Sequence, residues 1–407
     1  MHDHEVCAPT PSREIEPYRS EHEGYMGNWG NTVDRWYRRA ALVLWPRERE
    51  FAVRAEASPA WALAVVAQRV RGGAIAEARE MTASLLPFWS QAARAAGRGG
   101  LLERAMRIAA GLGDPPLASS LLRPFDLERL GPRAARAFSA LVGRYGEAWT
   151  RSLVTAWSRE RERGFADGGA HDWLASLPRL CAALCAKGGA LAARILLEDR
   201  WRFARGILAE LRGGPPVSAH DDGMRRMARP VLGWLQGAEA ARADELRDEA
   251  LGFLGGGADD ALLPCLLQVL RAGSLPGGAG AAGLDTLAHH CAQRLSSRLA
   301  QPERADGDWS IAPPGRCRCE LCRRLCAFLA DPRQRRLEWP LATDGRRHVH
   351  QVLDAHELPV LHRTRRSGRP FTLVLEKTAA LFEREAADRR RIQADLEWLS
   401  GRETSLP

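Results

Sequence analysis

The sequence predicts a mainly α fold: a helical-repeat-like scaffold, either an α-solenoid or an irregular bundle, carrying a small C-terminal α+β module rich in cysteine and histidine. Two observations predict it. From about Ser58, apolar residues recur at helical spacing for some 240 residues, with no alternating strand pattern between the breaks. After about residue 305 the composition shifts to clustered cysteines, histidines and short alternating runs. The expected divisions are 1–54, a loop and strand segment; 55–305, the helical scaffold; and 306–407, the Cys/His module.

Taken in order, residues 1–23 are polar and broken by Pro9, Pro11 and Pro17. Ala40–Trp45 is a short apolar run closed by Pro46, as a strand buried on both faces would be. Ser58-Pro59 supplies an N-cap and a first-turn proline, and Trp61, Val65, Val66 and Val70 follow at helical spacing. Helices are then predicted at Ala78–Ala96, Leu101–Leu112, Arg133–Leu141, Glu147–Glu162, Leu174–Cys185, Leu191–Leu211, Gly223–Gln236, Ala261–Leu270 and Leu284–Leu299. Glycine- and proline-rich stretches such as Gly113-Asp-Pro-Pro116 and Gly213-Gly-Pro-Pro216 are read as the breaks. No clean repeat period is found, and the known repeat signatures are absent.

In the last hundred residues, Arg316–Cys322 is a cysteine loop and Leu321–Leu329 a short helix. Arg336–Leu341 is a strand and Arg347–Ala355 a helix. Leu358–Thr364 and Pro370–Lys377 form a β-hairpin about Ser367-Gly368-Arg369. The charged segment Ala379–Leu399 closes the chain as an amphipathic helix.

Composition bounds the function classes. An apolar fraction of 45% with 27% charged residues fits a globular chain rather than a disordered one. No apolar run is long enough to span a membrane, and the N-terminus lacks the basic and apolar regions of a secretory signal, so a cytoplasmic location is expected. The net charge of +9 rests almost wholly on arginine, Lys187 and Lys377 being the only lysines. A GC-rich coding bias accounts for much of that charge, which weakens its value as a sign of nucleic acid. No Gly-x-Ser-x-Gly, phosphate-binding glycine loop or His-Glu-x-x-His is present.

The strongest chemical signal is Cys317-Arg-Cys319-Glu-Leu-Cys322, with His348, His350 and His362 downstream. Zinc takes four soft or borderline ligands in a tetrahedron, and a tight loop of thiolates is the usual first half of such a site. Four of these six residues are the candidate ligands of a structural zinc. Cys326, one turn beyond Cys322, is expected to pack inward beside Leu325 and Phe328. Two other readings stand beside the metal: scattered structural cysteines, and a thiol redox pair at Cys319/Cys322. The stretch Arg316–Arg369 holds 13 arginines against six acidic residues, so a basic hairpin beside a zinc knuckle, with Arg365 and Arg366, makes a nucleic-acid-binding module the alternative function.

Near the start, Gly24–Arg47 packs five aromatics, four arginines and three glycines into 24 residues. Further on come Arg346-Arg347-His348-Val349-His350, His362-Arg363-Thr364-Arg365, Gly368-Arg369-Pro370 and Leu373-Val374-Leu375-Glu376-Lys377-Thr378. Both stretches resemble segments of bacterial and fungal 2-oxoglutarate/iron(II) dioxygenases of the prolyl-hydroxylase type, the second from Trp309 to roughly Glu383. In that family a catalytic jelly roll precedes the first segment and a long helical region follows it. The resemblance therefore implies that the iron-holding part lies ahead of residue 24, and no iron or 2-oxoglutarate site is expected in this chain. His2-Asp3-His4 lacks the His-x-Asp spacing of an iron site. His220-Asp221-Asp222 has it, but in a polar loop between helices. The chain reads either as a non-catalytic accessory or scaffold region or as the truncated product of a longer protein hydroxylase. A protein partner, such as a separate catalytic dioxygenase domain, would then meet Tyr25, Asn28, Trp29, Asn31, Arg35, Trp36 and Arg39.

Overall fold

The computed structural model describes residues 4–6, 44–46, 49–95, 100–159, 173–212, 223–257, 260–274, 283–314, 317 and 319–403. Among them the chain is mainly helical, with fifteen α-helices, a two-stranded pairing and a three-stranded sheet. The segment from Tyr25 to Arg39 lies outside the described residues, as do His2, Asp3 and His220–Asp222. Two compact units divide at Arg129/Leu130.

In the first unit, β1 (His4–Val6) pairs antiparallel with β2 (Leu44–Pro46), a pairing the polar start of the sequence does not announce. Helices α1 (Glu50–Ala57), α2 (Pro59–Arg71), α3 (Ile75–Ala95), α4 (Leu101–Leu112) and α5 (Pro115–Leu122) follow. Helix α5 falls where the sequence reading placed a break. Asp114 is its N-cap, accepting from the Leu117 N–H at 2.9 Å, and Pro115-Pro116 fill the first turn, where the missing N–H groups have no intrahelical role. The Trp89 indole donates to the Leu121 carbonyl at 2.7 Å, tying α3 to α5.

The second unit opens with α6 (Ala135–Arg159), which breaks at Gly146, where φ is +80°. That break falls between the two helices the sequence predicts at Arg133–Leu141 and Glu147–Glu162. There follow α7 (Leu177–Cys185), α8 (Ala190–Arg212), α9 (Ala228–Ala240), α10 (Asp244–Gly255), α11 (Leu263–Gly273) and α12 (Leu284–Leu299). Helices α1 and α10 are additions to the sequence reading. Both are short, with few buried residues (Ala55 in α1; Ala250 and Leu254 in α10), so their apolar periodicity is faint. Helix lengths run from 8 to 25 residues and no common unit length recurs. The helices pack largely on near neighbours in the chain: α7 on α8 and α9, α9 on α11, α11 on α12.

The C-terminal elements are α13 (Glu320–Ala330), β3 (Arg336–Pro340), α14 (Thr343–Ala355), β4 (Val360–Arg365), β5 (Thr372–Lys377) and α15 (Ala380–Glu403). The sheet order is β3-β5-β4, antiparallel throughout, with Trp339 opposite Leu373 and His362 opposite Leu375. Strand β5 is central, which is why its run Thr-Leu-Val-Leu is buried residue after residue. Its core joins Leu325, Phe328 and Leu329 of α13, Val349 and Leu353 of α14, Trp339, Leu373 and Leu375 of the sheet, and Leu381 of α15. Helix α15 also packs along α12. Arg298 meets Asp388 at 3.0 Å, Arg304 meets Glu385 at 2.5 Å, and Arg271 of α11 pairs with Asp395. Among the described residues no helix is long and apolar enough to cross a membrane.

Candidate metal centre

The module core brings α13 and α14 together, and the N-terminal end of α13 and the middle of α14 build the site. Cys319 is the N-cap of α13, and its Sγ accepts the Cys322 backbone N–H at 3.4 Å. A sulfur thus fills the place that serine or aspartate takes at other helix starts, satisfying one of the unpaired first-turn donors. Cys322 follows one turn on and is buried, because Leu325, Phe328 and Leu329 turn the same helix into the core. Cys317 approaches from the preceding loop. His348 comes from α14, next to the fully buried Val349 that anchors that helix.

The His348 Nε2 stands 3.1 Å from Cys322 Sγ, 3.4 Å from Cys319 Sγ and 3.8 Å from Cys317 Sγ. All four candidate ligand atoms lie within 4.8 Å of one another. Zinc–sulfur bonds of about 2.3 Å and a zinc–nitrogen bond of about 2.0–2.1 Å give a tetrahedron whose edges are about 3.6 Å for S–N and about 3.8 Å for S–S. The observed separations bracket that S–N edge. Three thiols and one imidazole are a donor set for a soft or borderline metal, and the residues present fit one.

The electrostatics fit as well. Hydrogen bonds from the Cys322 backbone N–H and then the Cys317 thiol lower the Cys319 thiol to about 7. The start of α13 adds the positive end of its dipole. Burial, with the two neighbouring sulfurs, pushes Cys322 up to about 12. Cys319 therefore ionises before Cys322, and a bound cation would draw the proton from the buried thiol.

Of the six residues singled out in the sequence, the structure gathers four: Cys317, Cys319, Cys322 and His348. His350 and His362 stand apart. Two residues along a helix are about 200° apart around its axis, so His348 and His350 cannot face one metal. His350 turns instead to β4, where its Nδ1 meets His362 Nδ1 at 2.5 Å, and His362 Nε2 meets Asp354 at 3.1 Å. Cys326 lies outside the cluster, half-buried, with its thiol raised by burial. Cys181, Cys265 and Cys291 are buried in the helical body, where desolvation raises each to about 12, as for inert apolar side chains.

One residue that secures the site was not singled out. The Lys377 side chain, fully buried, donates from Nζ to the carbonyls of Leu329 (3.0 Å) and Asp331 (2.7 Å) and sits 4.8 Å from the Phe328 ring centre. It holds the C-terminal end of α13, the helix carrying two of the cysteines, against β5. The signal for it is strand alternation, since Leu373, Leu375 and Lys377 share the inward face.

No family model, curated protein or solved structure matched this chain.

Proposed function

We propose that the C-terminal module is a structural zinc domain held by Cys317, Cys319, Cys322 and His348, and that the chain works as a non-catalytic scaffold. The observation that carries the first part is the convergence of three sulfurs on one imidazole nitrogen. Four protein ligands close a tetrahedron and leave no open position for water or substrate, which is the pattern of structural rather than catalytic zinc. The scaffold reading rests on the helical body and on the resemblance of two segments to 2-oxoglutarate/iron(II) dioxygenases. On that reading the chain is an accessory region of a dioxygenase-like protein, presenting a protein partner or substrate, with Tyr25, Asn28, Trp29, Asn31, Arg35, Trp36 and Arg39 as the contact segment. A cytoplasmic setting, where thiols stay reduced, suits such a centre.

The test is metal analysis of the purified chain. One zinc per chain is expected, and substituting cobalt should give the intense thiolate charge-transfer bands of a tetrahedral site. Cys322→Ser should lose both. A chain with free thiols and unchanged thermal stability after chelation would refute the zinc domain. Turnover of 2-oxoglutarate on adding iron(II) would refute the non-catalytic reading.

A further inference from the structure

The hairpin of β4 and β5 has two unlike faces. Val360, His362 and Thr364 point toward the core, His362 lying opposite the fully buried Leu375. Leu361, Arg363 and Arg365 alternate outward and are exposed, Leu361 by 54%. On this outer face the acidic side chains are already engaged. Glu338 takes both Arg336 (2.8 Å) and Arg365 (2.7 Å), and Glu376 lies 3.6 Å from Arg335. Arg363, opposite Val374, and Arg366 and Arg369 in the connecting loop are exposed and, among the described residues, have no acidic partner.

Arginine bias alone does not explain this. Elsewhere some helical arginines have an acid one turn away, as in Arg54–Glu50, Arg107–Glu103 and Arg151–Glu147. Around the hairpin the acids are missing. No aspartate or glutamate lies between Glu357 and Glu376, where the overall acid frequency of the chain would place about two.

We propose that this hairpin binds double-stranded nucleic acid through the phosphate backbone. The three guanidiniums, one on β4 and two in the loop after it, lie on an exposed surface rather than round a cavity, which suits an extended polyanion over a single small anion. Guanidinium is also the cation whose planar fork matches phosphate oxygens. The neighbouring aromatics are occupied: Trp339 is buried beneath Arg324 and Phe371 lies under Arg346. Bases then have no stacking platform, and binding is independent of sequence.

Fluorescence anisotropy of the full zinc-loaded chain with a labelled random duplex of about 20 base pairs tests this, with salt varied from about 50 to 200 mM. Engagement of three to four phosphates predicts a slope of log K against log salt of about −2.7 to −3.6. The triple variant Arg363→Glu/Arg366→Glu/Arg369→Glu should bind at least about tenfold more weakly, with a slope shallower by about 2–3. The corresponding glutamine triple should fall between the two. Zinc content measured on the same preparations separates this result from the metal proposal, since none of the three arginines touches the centre. Absence of binding at the lowest salt would overturn the inference. So would a triple variant that binds like the parent, or binding to phosphatidylserine vesicles without binding to the duplex.

Discussion

Replacing Lys377 by methionine should loosen the Cys/His module from within while leaving every candidate metal ligand in place. The side chain keeps its length and loses its ammonium, so two carbonyls lose a donor. They are not equal. The Leu329 carbonyl also accepts the Ile311 N–H at 2.7 Å and keeps that bond, whereas the Asp331 carbonyl is left facing a thioether. Losing a charged donor costs about 1.5–3 kcal/mol at such a site, and the second bond adds about 1 kcal/mol. The contact with Phe328 contributes about 0.5–1 kcal/mol more. Relief from burying an ammonium works the other way, and a net loss of about 2 kcal/mol is expected. That is about thirtyfold in the opening equilibrium of the module. Native-state hydrogen exchange would read it as a thirtyfold loss of protection confined to α13, β5 and their neighbours. The pH dependence has a defined sign. Burial lowers the folded pKa of Lys377, so the unfolded chain holds the extra proton between that value and about 10.4. Wild-type stability therefore rises with pH through that window, and the deficit of the methionine variant widens. Protection unchanged within about threefold would refute the view that this lysine pins the helix.

Two further substitutions test the geometry elsewhere. His348→Ala should reduce zinc occupancy from one per chain to near zero at micromolar free metal, while His350→Ala and His362→Ala retain it; equal losses in all three would mean that the imidazoles are misassigned. Gly233→Ala on α9 should destabilise the helical body by about 1–3 kcal/mol, because a Cβ there would sit 2.5 Å from the Leu174 carbonyl and 2.7 Å from Ala175 Cα, both backbone atoms that cannot swing away. In an exposed helix the same change would stabilise by about 1 kcal/mol, so a rise in melting temperature would show that α9 does not approach the turn before α7 so closely.

Much of the module was legible because its signals are local. Cys-x-Cys-x-x-Cys marks three candidate ligands among six, and Ser367-Gly368 marks a hairpin whose Gly368 sits at a φ of +81°. The fourth ligand was not resolved from His350 and His362, because the choice depends on the rotational phase of α14, fixed only when Val349 and Leu353 enter the core. Pro115-Pro116 reads as a stop or as a first turn according to whether the aspartate before it caps a helix, and the sequence reading took the stop. Lys377 looks like a polar strand end until the register with β3 and β4 shows it pointing inward.

The last helix has a consequence for anyone dividing the chain into pieces. Helix α15 places Leu381 in the module core and Phe382 edge-on to Trp309, then runs along α12, where Arg389 donates to the carbonyls of Leu299 and Gln301. A fragment beginning near residue 306 would keep α15 but discard Arg271, Arg298, Arg304, Glu303 and the end of α12. It would expose Asp388, Glu385 and Asp395 without their partners, beside the apolar Ile392 and Leu399. Such a piece would carry a freshly cut, sticky helix face into solution. A fragment that keeps all of these partners together with the Cys/His cluster therefore begins upstream of α11.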